Sequence, residues 1–118
     1  MTNNLILVGR IVKTPELRKT ESGTSVSNVT LAIPRPFKNQ EGNYDTDFIE
    51  CTLWNSIAKT TCEFCEKGDL IAVKGRIQSS TLDKEDMPKI NILQVIAEKI
   101  SFLTNTKNKK VSEEQTEE

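Results

Sequence analysis

Histidine is absent from this chain, cysteine occurs only three times, and Phe, Tyr and Trp together make up 5% of its 118 residues. Each scarcity removes a class of function. Acid–base and nucleophilic chemistry lose their most frequent participant, and the Ser, Asp and Glu residues fall in turns and on outer faces without a recognisable constellation, so an enzyme is not expected. Three cysteines are odd in number and too sparse for a disulfide framework, which fits a reducing compartment. Cys62 and Cys65 form a C-x-x-C pair, but a tetrahedral zinc site needs a second ligand pair and only Cys51 remains. Their i, i+3 spacing reads as helix packing, and no metal or cofactor is expected.

Long apolar runs are missing too: none approaches the roughly 20 residues that span a bilayer. The start, MTNNLILVGR, lacks the basic, apolar and small-residue regions of a secretory signal, so the expected location is cytoplasmic. Charge of one sign is also lacking. Residues 1–103 carry 13 basic and 13 acidic side chains, and the remainder adds three lysines and four glutamates. Any polyanion site must therefore be a local arrangement of Lys and Arg.

What is present reads as one domain of short strands. Residues 3–13 form a β-branched first strand, which Pro15 interrupts before a short extended piece, ELRKT. Residues 25–35 alternate, with Val29, Leu31 and Ile33 on one face and Asn28, Thr30 and Ala32 on the other. The stretch KNQEGNY around Gly42 is a hairpin connection, and residues 45–54 return as a third strand. From Ser56 the period becomes helical, through Ile57, Thr61, Phe64 and Cys65, with Asn55 or Ser56 able to cap the start and Gly68 the end. Residues 69–79 are a fourth strand with Ile71, Val73 and Ile77 inward and Lys74, Arg76 and Gln78 outward, Gly75 easing a bend. After a polar loop, residues 90–103 form a fifth strand with a bulge where the alternation slips. The polar, unpatterned tail 104–118 reads as disordered. The fold expected is all-β: a five-stranded OB-fold, a Greek-key barrel with one short α-helix between strands 3 and 4.

In the third strand Ile49, Cys51 and Leu53 share one face, while Phe48 and Trp54 share the other with Glu50 and Thr52. Two of the few large aromatics therefore lie among polar neighbours. They would either pack beneath a loop or at a subunit contact, or remain available as flat platforms for ligands.

The combination of VGR, TPELR, SVSNVTLAI, DFIECTLW and KGDLIAVKGRIQ, from about Asn4 to Leu103, resembles the bacterial single-stranded DNA-binding proteins. The resemblance implies an OB-fold, commonly a homotetramer, that coats single-stranded DNA in replication, recombination and repair without catalysis or metal. It implies stacking aromatics at Phe37, Phe48 and Trp54. Cations for the phosphates would come from Arg10, Arg35, Lys38, Lys59, Lys74 and Arg76, with Lys13, Arg18 and Lys19 near the Pro15 break as lesser candidates. There are two departures from the family pattern. Leu82 stands where a further aromatic is common. The chain ends EEQTEE instead of an acidic tip closed by Pro and Phe, which leaves replication and repair proteins unassigned as partners. A different class of function, a protein-interaction or primosomal adaptor of the same fold with weak DNA binding, fits both departures.

Overall fold

The computed structural model describes residues 1–104. In chain order the elements are β1 (Leu5–Ile11), β2 (Arg18–Lys19), β3 (Ser25–Lys38), β4 (Tyr44–Trp54), α1 (Asn55–Phe64), β5 (Leu70–Leu82) and β6 (Ile90–Thr104). The strands hydrogen-bond in the order β1, β5, β6, β4, β3, β2, and β1 also pairs with β3. That last pairing closes five strands into a barrel, as the alternation predicts, and leaves β2 as a short flap on the edge of β3. The expected tail lies outside the described residues apart from Thr104, which ends β6.

The inward residues of each strand meet in one core. Val29 and Leu31 of β3, Cys51 and Leu53 of β4, and Ile71 and Val73 of β5 are all fully buried. Each large aliphatic among them contributes about 1.5–3 kcal/mol by leaving water. Helix α1 covers one end, sinking Ala58 and Thr61, with Cys65 just beyond its last turn. No helix among the described residues is long and apolar enough to cross a membrane. The helix begins differently from the capping expected: extended Trp54 is the N-cap and makes no side-chain cap bond, while Asn55 takes φ 58° at the strand–helix corner. Asn tolerates that left-handed conformation better than most residues. Gly68 sits beyond the helix end, in a turn where its N–H donates to the Ile11 carbonyl at 2.8 Å.

Two pairs of strands outrun the barrel. Residue Ala32 is the last of β3 to pair with β1, yet β3 continues beside β4 to Lys38. Pro34 and Pro36 are tolerated there because only one neighbouring strand needs amide donors. Likewise β1 leaves β5 at Gly75, and β5 and β6 run on together to the Leu82–Ile90 pair. Ile77, expected inward, is 43% exposed: β1 no longer pairs with β5 there, although β6 and β4 still run beside it through Val95. The expected bulge in the last strand occurs twice: β6 inserts Glu98 and Leu103 as extra residues against β5. At the first bulge the strands close so tightly that a Cβ on Gly75 would collide with the Ile96 carbonyl.

Two seams of the barrel are short. The β1–β3 seam consists of Arg10 opposite Ala32 and Ile11 opposite Leu31. The parallel β4–β6 seam consists of Cys51 opposite Val95 and Thr52 opposite Ile96.

Candidate nucleic-acid interface

Directly opposed residues in a ladder share a face, so the register builds the site. Arg10 on β1 lies opposite Ala32 on β3, and Ala32 lies opposite Phe48 on β4. Further along the same outer face, Arg18 on β2 lies opposite Val26 on β3, which lies opposite Trp54 on β4. The sheet thus carries two rows of the same composition: an arginine, a small aliphatic residue and an aromatic. Within a row, two strand spacings put arginine and aromatic backbones about 10 Å apart. Six residues of β4 separate the rows by about 20 Å.

Phe48 is 66% exposed and Trp54 38% exposed, so neither ring is sealed in the core. The small Ala32 leaves a trough of about 250 Å3 beside the first row, lined by Val8, Gly9, Arg10, Ala32, Pro34, Thr46 and Leu70. Between the rows the face is polar, with Thr30 opposite Glu50 and Asn28 opposite Thr52. Phe37 stands apart on the β3–β4 arm at 62% exposure, just before a hairpin turn in which Gly42 has φ 85°.

The cations are placed unequally. Arg10 reaches the Gly68 carbonyl with one guanidinium nitrogen at 3.1 Å, and its row position keeps it beside the trough. Arg76 shares the outer face with Thr52 through the Thr52–Ile96 and Ile96–Arg76 pairs, and it contacts Glu98 at 3.5 Å and Gln78 at 3.2 Å. Lys74 is also outward, flanked by Ile6 and Lys99, with no ion pair among the described residues. Lys38 lies 5.8 Å over the Tyr44 ring on the arm. Lys59 is exposed on α1.

Arg35 is the most engaged cation. It grips Asp47 with two nitrogens at 2.9 and 3.2 Å and has Asp45 at 3.8 Å. The hydrogen bond to Asp47, reinforced by its charge, raises the Arg35 pKa, and the same bond holds the Asp47 carboxyl below its ordinary range. A phosphate reaching Arg35 must compete with this carboxylate.

Arg18 gains most from the structure. Sequence reading leaves it among the lesser candidates, because a two-residue strand carries no periodic signal, yet β2 pairing puts it in the Trp54 row. Ala32, Val26 and, apart from Arg10, the trough residues were not legible as site residues, since their role depends on register. The C-x-x-C pair divides: Cys65 is buried and Cys62 half-buried, and no disulfide joins Cys51, Cys62 or Cys65 among the described residues.

The chain matches the single-strand binding protein family over residues 2–103. It is 41% identical over 103 residues to single-stranded DNA-binding protein B of Bacillus subtilis, covering 87% of this chain and 91% of that protein. It is 40% identical over 108 residues to single-stranded DNA-binding protein 3 of Listeria innocua, covering 92% of this chain and 68% of the relative. A single-stranded DNA-binding protein of Halalkalibacterium halodurans is 42% identical over 103 residues, which are 87% of this chain and 61% of that relative's length.

Proposed function

This chain belongs to the single-strand binding protein family, and we propose that it binds single-stranded DNA with little regard to sequence and protects it during replication, recombination and repair. The pair of rows on one outer face carries this reading. Every base has a π-face, so an exposed ring accepts any of them, at roughly 1–3 kcal/mol per stacked base. Phe48 and Trp54 are far enough apart to serve different nucleotides, and Phe37 extends the path onto the arm. Arg10 and Arg18 stand within reach of the phosphates of a strand lying along β4. Lys38, Lys59 and Lys74, which have no ion pair among the described residues, add positive charge around the site, whereas Arg35 and Arg76 must first release Asp47 and Glu98. Binding of this kind requires no covalent step, and the protein acts without catalysis.

The outer face of β1 supports assembly into a homotetramer. Ile6, 70% exposed and not among the residues that line the trough, presents apolar surface that association would cover. A bacterial cytoplasmic, nucleoid-associated setting goes with this role.

Trp54 is the only tryptophan, so the test is direct. Titration with oligo(dT) at several salt concentrations is expected to quench its emission, with log K falling linearly as log salt rises. Unchanged emission in a large excess of DNA overturns the proposal. Weak, steeply salt-sensitive binding by a dimer would favour the adaptor role instead.

A further inference from the structure

Between the two rows sits a carboxylate that sequence-tolerant binding does not require. Glu50 is exposed on β4, two residues from Phe48 and four from Trp54, about 7 and 13 Å along the strand. It shares their face, opposite Thr30. A negative charge here repels the phosphates that the flanking arginines attract, and no Lys or Arg neutralises it among the described residues. Asn28 fixes it instead, donating from its side-chain nitrogen to one Glu50 carboxylate oxygen at 3.0 Å. The Asn28 amide oxygen is itself buried and has no hydrogen-bond partner among the described residues. The second Glu50 oxygen has no partner among the described residues.

We propose that Glu50 biases the strand bound between Phe48 and Trp54 toward bases with an exocyclic amino group and against thymine. This rests on the DNA-binding reading above. A carboxylate only accepts hydrogen bonds. Cytosine, adenine and guanine offer amino donors at N4, N6 and N2, whereas the exocyclic polar groups of thymine are the carbonyl oxygens O2 and O4. Thymine's single N3–H lies between two carbonyl oxygens that a carboxylate repels. Unpaired bases held by stacking leave these edges free, so a fixed acceptor between two platforms meets them directly. The neighbouring Thr30 and Thr52 hydroxyls both donate and accept, and so add no bias.

The experiment compares oligo(dC) with oligo(dT), above neutral pH so that cytosine stays unprotonated, in the parent and in Glu50→Gln. The carboxamide keeps the size but both donates and accepts. Loss of the negative charge raises affinity for both oligomers alike, which cancels in the ratio. The dC-to-dT affinity ratio is expected to fall by on the order of fivefold in the variant. Glu50→Ala should lower it by a similar factor, which guards against a new contact made by Gln. Binding with the same ratio in all three proteins overturns the inference while leaving the DNA-binding reading intact. Absence of binding to either oligomer by the parent overturns both.

Discussion

Replacing Phe48 with alanine separates binding from stability more cleanly than any other change on this face. The ring is 66% exposed and faces only Ala32 across the ladder. Full burial of a phenylalanine is worth about 1.5–3 kcal/mol, so the covered third accounts for roughly 0.5–1 kcal/mol of stability. Its stacking on a base would contribute roughly 1–3 kcal/mol, a loss of about 5- to 150-fold in affinity. Trp54 remains as the fluorescent reporter, so the same titration measures both proteins, and a urea melt measures stability. The loss should be nearly equal for oligo(dT), oligo(dC) and oligo(dA), since a stacking platform does not read base edges. Parental affinity in the variant, or a loss confined to one sequence, would refute the assignment. So would a destabilisation well above about 1 kcal/mol, which would mark Phe48 as a packing residue. Trp54→Ala is a poorer first test, because most of that ring is covered and its loss would also uncover Val26.

Arg10→Ala and Arg18→Ala are each expected to weaken binding about equally across sequences and to flatten the slope of log K against log salt by about 0.7, the share of one single-strand phosphate contact. An unchanged slope would remove that arginine from the interface. Gly75→Ala should lower stability by about 1–3 kcal/mol, because the added methyl meets the Ile96 backbone at the bulge; calorimetry showing an unshifted melt would contradict the close approach. Burial pushes the Cys51 thiol up to about 11, with the Glu50 charge adding to the effect. A thiol raised above its ordinary 9.0 contributes its stability below that value and loses it as pH climbs toward about 11, so denaturant midpoints should fall across that window. At neutral pH an alkylating reagent should modify Cys62 first, and rapid labelling of Cys51 would contradict its burial.

Alternation of side chains made the barrel strands and their inner faces readable, because a strand half covered by a core must repeat every second residue. Cross-strand partners were not readable. Arg10, Ala32 and Phe48 are distant in sequence, and only the register, set by the whole barrel, makes them neighbours. Arg18 shows the same limit more sharply, since two residues of β2 leave no pattern to detect. Ile77 illustrates the reverse case. Its parity was correct, but parity alone does not give burial, and β1 has already stopped pairing with β5 before that position. The engagement of Arg35 by Asp47 was hidden for a related reason: twelve residues part them in sequence, and the β3–β4 hairpin brings them together.

The two short seams divide the barrel into a β1, β5, β6 leaf and a β2, β3, β4 leaf, clasped at only two places. The rows are not equivalent with respect to this division. Arg18, Val26 and Trp54 belong entirely to one leaf, so their spacing is as rigid as the ladders within it. Arg10 crosses from the other leaf to meet Ala32 and Phe48. A slight opening of the clasp would widen the trough and draw the guanidinium away without unseating the ring. Any such opening would change the spacing of the first row and leave that of the second unaltered.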